Sequence, residues 1–168
     1  MKKNNAVAYE SATKSLLNKL DEMNLPREQR LRAKNLTLLF RDSFKSDAVK
    51  HATFYQDIQY DYKYFPYDSY GFCRASSCSF VALMNNPDWQ LRYIGEIWEY
   101  GPHYFIMHMP TKNVFDLTFD QYAYDGHSVP YFMGRPTKIG ADEKGAVVRF
   151  LHAAGLDFSL ATKNIDRD

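Results

Sequence analysis

Tyr70-Gly71-Phe72-Cys73-Arg74-Ala75-Ser76-Ser77-Cys78-Ser79-Phe80-Val81-Ala82-Leu83-Met84 is the stretch that orders the rest of the chain. Gly71 marks a turn. The small and apolar residues behind it run unbroken to Asn85-Asn86-Pro87, which predicts one buried helix of about three turns. Cys73 falls at the start of that helix, where free amides and the helix dipole favour a thiolate and suit an oxyanion on an attacked carbonyl. Cys78, five residues on, lies about 140° around the helix and is expected to face the core. A lone buried cysteine is ordinarily a small hydrophobe, so a site requires partners elsewhere in the chain.

Those partners are sought in the strands that follow. Residues 89–98, 104–109 and 114–119 are apolar or alternating, and Pro110-Thr111-Lys112-Asn113 makes a turn between the last two. His103 opens a strand after the Gly101-Pro102 break, and Asp116 lies on the next strand in Val114-Phe115-Asp116-Leu117-Thr118. A hairpin of this length can bring the carboxylate to the imidazole. It would then fix the tautomer and stabilise imidazolium, while the imidazole deprotonates the thiol. His108 faces away from His103 on the same strand. Asp120 shares the face of Asp116, so a shifted register would exchange the two. Gln121 points to the other face and is read as structural. His127 and His152 have no acid or cysteine pattern beside them. A metal site from His103, His108, Asp116 and Asp120 is not expected, because the histidines oppose each other and no His-Glu-x-x-His or Cys-x-x-Cys spacing occurs. No glycine-rich phosphate loop is present, and Gly134-Arg135-Pro136 reads as a turn.

Upstream, residues 9–23 read as a helix through Leu16, Leu17, Leu20 and Met23. A second begins at Pro26, with Leu31, Leu36, Leu39 and Phe40 as its stripe toward Phe44. Its basic residues, Arg41 among them, read as a solvated face. Residues 54–70 interleave tyrosines with mostly acidic charge, which suits a packed loop covering a groove better than a base-stacking platform. A last helix over 142–154 carries Val147, Val148 and Leu151 inward and stops at Gly155. The order is α+β, with a Cys-bearing helix packed on an antiparallel sheet. Residues 1–50 are expected to form an N-terminal helical layer and 51–168 the core, in one compact unit.

Composition narrows the function classes. Lys+Arg 21 against Asp+Glu 20 leaves a net charge of +1, which gives no bias toward nucleic acid or an anionic membrane. Two cysteines are too few for a disulfide framework. The Met-Lys-Lys-Asn-Asn start lacks a following apolar region, and no apolar stretch is long enough for a bilayer, so a cytoplasmic protein is expected.

The segments Gly71-Phe72-Cys73-Arg74-Ala75-Ser76, Gly101-Pro102-His103-Tyr104-Phe105 and Val114-Phe115-Asp116-Leu117-Thr118-Phe119-Asp120-Gln121-Tyr122 together resemble the papain-like superfamily. That superfamily includes papain-type proteases, transglutaminases, arylamine N-acetyltransferases and bacterial cell-wall endopeptidases. The last segment is similar to an Asp-Leu-Thr-x-Asp-Gln stretch of small bacterial and phage proteins of this type. The resemblance spans residues 71–158; the first fifty residues resemble no family. It implies a papain-like fold with Cys73 as nucleophile, His103 as base and Asp116, ahead of Asp120, as the orienting acid. One departure is that no glutamine closely precedes Gly71 to serve the oxyanion hole. Gln59, another donor or the backbone alone must substitute. The function implied is a thiol-dependent acyl hydrolase of peptidase or deamidase type, acting on a peptide or protein amide without cofactor or metal. The alternative is a non-catalytic protein-binding module on the same scaffold, such as a phage or plasmid factor that binds a host protein.

Overall fold

Leu16 and Leu20 on α1 (Lys2–Glu22), with Met23 just beyond its end, are buried together, as helical spacing of apolar residues requires. The structure, a computed structural model, describes residues 2–54, 67–97, 101–123 and 126–167, with side chains from residue 6 onward. Gln59 and most of the tyrosine-rich stretch, residues 55–66, lie outside the described residues.

Pro26 immediately precedes α2 (Arg27–Phe44), where its fixed φ and missing N–H cost the helix nothing. The buried face of α2 departs from the expected leucine stripe. Ala33, Thr37, Phe40, Arg41 and Phe44 turn inward, while Leu31 and Leu39 are 50% and 46% exposed. The small residues Ala33 and Thr37 let neighbouring elements approach, and Arg41 enters the interior because it finds an acid there. It is not part of a solvated face. A short α3 (Asp47–Phe54) follows.

The helix predicted around the cysteines is α4 (Cys73–Met84), closed by Asn85 in the left-handed conformation at φ 46°. It lies against β1 (Trp89–Ile94) and β2 (His103–His108). The strand expected over 114–119 is only β3 (Asn113–Phe115). After it the Asp116 carboxylate accepts the Thr118 amide at 2.9 Å and turns the chain into α5 (Asp120–Ala123). Likewise β1 ends at Ile94, short of residue 98. Arg135-Pro136, read as a turn, is an edge strand, β4, pairing with Arg92 and Tyr93 of β1. Proline is admitted there because an edge strand needs no donor on its outer side. Two helices complete the chain, α6 (Ala141–Ala153) and α7 (Ser159–Ile165).

The sheet order is β3-β2-β1-β4, with every pairing antiparallel. The fold is therefore α+β. Leu20 of α1, Phe40 and Phe44 of α2, Phe80 of α4 and Phe150 of α6 belong to one apolar cluster, which also takes in Leu91 and Ile106 of the sheet. Among the described residues, no helix is long and apolar enough to cross a membrane.

Candidate active site

Cys73 is placed by the residue before it. Phe72 is fully buried and stacks on Phe44 with ring centroids 4.4 Å apart; Phe54 lies edge-on at 4.9 Å and Phe150 at 5.7 Å. Three helices thus clamp the entry to α4. Gly71 at φ 80° swings the chain into that clamp, a conformation a side chain would strain. No side chain caps the helix at Phe72, which leaves its start to the backbone. The Ser77 hydroxyl donates to the Tyr104 carbonyl at 3.3 Å and ties α4 to β2. Cys73 ends in a cavity wall, 9% exposed, whereas Cys78 is enclosed in the apolar core. Both are free thiols.

The sheet register supplies the next two groups. His103 opposes Ile94 at the start of β2, and Ile106 opposes Phe115. One step further Asp116 falls opposite Phe105, and alternation puts it on the face of His103. The His103 ring donates from Nε2 to Asp116 Oδ2 at 2.7 Å. The other ring nitrogen, Nδ1, lies 3.2 Å from the Tyr122 hydroxyl, and the Cys73 thiol is close enough to the His103 ring and the Tyr104 backbone for both to favour its thiolate. Asp116 is satisfied on every side: Oδ1 takes the Thr118 amide and hydroxyl, and Oδ2 also takes the Tyr131 hydroxyl at 2.8 Å.

Electrostatics follow from this chain of bonds. Burial pushes the Cys73 thiol up, but the hydrogen bond and charge of His103, with the Tyr104 backbone, outweigh it and hold the thiol below its ordinary value. Burial would lower His103, yet the charge and hydrogen bond of Asp116, with Cys73, push it up to about 10. For Asp116 burial is opposed by His103, the Thr118 amide and Tyr131, and the carboxyl stays below its usual range. For Cys78 burial comes first and the charges of Glu143 and Cys73 add to it, so its thiol is pushed far up. One cysteine is poised to ionise and the other is not.

Asp120 does not share the face of Asp116, because the chain has left the strand. It forms a two-pronged ion pair with Arg41, at 2.8 and 2.9 Å, with both side chains 1% exposed. Arg41 also donates to Thr13, to the Leu117 carbonyl and to the Tyr9 carbonyl, and lies 3.9 Å over the Tyr9 ring. His108 is buried against Trp89 and hydrogen-bonded to Thr111, away from Cys73. His127 and His152 are exposed. Gln121 is structural in its bonds, but it also lines the cavity. Its Oε1 accepts the Gly71 amide at 3.3 Å and its Nε2 donates to Thr118 Oγ1 at 3.0 Å. A hydrogen-bonded path therefore joins the turn before Cys73 to Asp116 through Gln121 and Thr118. Tyr122, with its hydroxyl 3.2 Å from His103 Nδ1, and Tyr131 were not legible as site residues. The Asp-x-Thr spacing of Asp116 and Thr118 is a turn signal that could have been used.

The cavity beside Cys73 holds about 360 Å³, with Phe54, Tyr70, Tyr93 and Tyr104 on its apolar walls. That volume suits one or two side chains of a ligand. Among the described residues, no group of three or more His, Cys, Asp or Glu side chains is placed to hold a metal ion. No protein-family model, curated protein or solved structure matches the chain.

Proposed function

We propose that this chain is a cysteine acyl hydrolase on a papain-like scaffold, of peptidase or deamidase type, working in the cytoplasm on a peptide or protein amide. The observation that carries it is a Cys73 thiol on the wall of an apolar cavity, electrostatically coupled to the hydrogen-bonded His103–Asp116 pair. Each group has the environment its role needs: a thiol held below its ordinary value, an imidazole stabilised as imidazolium, and a carboxylate saturated with donors. Free cysteines fit a reducing compartment.

In this mechanism the Cys73 thiolate attacks the amide carbon and a C–S bond forms. The carbonyl electrons move to oxygen, which the uncapped start of α4 faces with backbone N–H groups. As the oxyanion collapses, the C–N bond breaks and the His103 imidazolium gives its proton to the leaving nitrogen. A water molecule then attacks the thioester while His103 takes its proton. The C–S bond breaks, releasing the acid and returning His103 and Cys73 to their starting charge state. Asp116 holds the ring throughout and is not itself protonated.

The test is digestion of a proteome-derived peptide library by wild type and by Cys73→Ala, read by mass spectrometry. Wild type is expected to generate new peptide termini, or Asn and Gln converted to their acids, and Cys73→Ala none. Identical peptide pools from the two proteins would remove the hydrolase and leave the binding module.

A further inference from the structure

Arg74 follows the proposed nucleophile directly and lines the same cavity, and it is the one charged side chain among the described lining residues apart from Cys73 when ionised. It is half-buried. Arg41 in the interior holds Asp120, and Arg92 donates to the Gly134 carbonyl at 3.3 Å; Arg149 is also half-buried, with its Nε unpartnered, but it does not line the cavity. Arg74 makes no hydrogen bond or ion pair among the described residues. Glu143 on α6 is an acid that feels its charge, yet no ion pair joins the two, and the Glu143 carboxylate is held by other donors. Oε1 accepts the Tyr104 hydroxyl at 2.8 Å and Oε2 the Gly140 amide at 3.0 Å. A guanidinium partly withdrawn from water without a bonded partner is costly, and a planar carboxylate satisfies it best, through two parallel bonds.

We propose that Arg74 is the anion subsite of this cavity, so that the acyl group presented to Cys73 carries a carboxylate and the substrate is an acidic peptide. The tyrosine walls take the apolar part of that segment, and Arg74 selects its charge. This rests on Cys73 being the nucleophile of the proposed hydrolase.

Two alkylating agents with one chemistry and different charge provide the test. Iodoacetate and iodoacetamide each form a C–S bond at the thiolate and expel iodide. Site-resolved rates at Cys73 are measured for wild type, Arg74→Gln and Arg74→Lys in low salt. The iodoacetate-to-iodoacetamide ratio is expected to fall about fivefold in Arg74→Gln, the effect of one unit charge about 7 Å from the anion at a cavity mouth. Arg74→Lys keeps most of it, and the iodoacetamide rate changes less than about twofold in either variant. On unaltered protein, glutarate should protect Cys73 from iodoacetamide while glutaramide does not. An unchanged ratio and equal protection, with fast labelling throughout, overturn the anion subsite and spare the nucleophile. Labelling of wild type no faster than that of a small free thiol overturns both.

Discussion

His103 is caught between burial, which disfavours its charge, and the Asp116 carboxylate 2.7 Å away, which demands it. The carboxylate wins, and the imidazolium in turn holds the Cys73 thiol low. Cys73 labelling by iodoacetamide should therefore stay fast at neutral pH and fall only as pH drops through the depressed thiol pKa. In His103→Ala burial acts on the thiol with only the Tyr104 backbone to oppose it. The labelling profile should move above the ordinary thiol value of 9.0, with a loss of more than about tenfold at pH 7. An unmoved profile would mean that His103 does not set the thiol's charge. The same shifts act on stability with opposite signs. The His103 contribution is complete below its ordinary 6.5 and fades as pH rises through about 10, whereas that of Asp116 is lost as pH falls through its depressed value.

At the scale of elements, the two acids of the Asp116–Asp120 segment are separated by a turn. Asp116 stays at the end of β3 and faces His103. Asp120 opens α5 and meets Arg41 of α2, whose other bonds reach Tyr9 and Thr13 of α1. Arg41 is thus the polar joint of three elements. Replacing it with Met strands a buried carboxylate and should cost about 3–5 kcal/mol in urea unfolding. Asp120→Asn should cost a comparable amount, and the double variant less than the sum. Folded Asp120→Asn should still label at Cys73 at the wild-type rate. A loss of labelling there would return Asp120 to the site.

For the whole molecule, helices from both ends of the chain share the cluster that fixes Cys73. Phe44 of α2 stacks on Phe72, and Phe150 of α6 closes on both. Phe44→Ala should cost about 3–5 kcal/mol. Helical circular dichroism and tryptophan fluorescence, the latter including Trp89 in the sheet, should shift together as one transition. Two separated transitions would show the N-terminal helices to be an independent layer.

The α4 helix, the positions of Cys73 and Cys78 on it and the start of β2 at His103 were legible because each depends on local pattern: a glycine turn, an unbroken apolar run, a Gly-Pro break. The apolar stripe of α1 was legible for the same reason. The inward face of α2 was legible at Phe40 and Phe44 but not at Ala33 and Thr37, because leucines 31 and 39 outrank those two in any hydrophobicity count, and only the neighbours decide which face has room. Arg41 read as solvated because its acid lies 79 residues away. Asp116 and Asp120 could not be separated while the strand was assumed to continue; the turn at Thr118 divides them. The short α3 and α7 and the two-residue β4 carry too little periodicity to stand out. Local sequence determined which residues begin elements and which face of α4 holds each cysteine. Tertiary packing decided which acid meets the imidazole, which arginine is buried and which is left facing the cavity, because those pairings join segments that are distant in the chain.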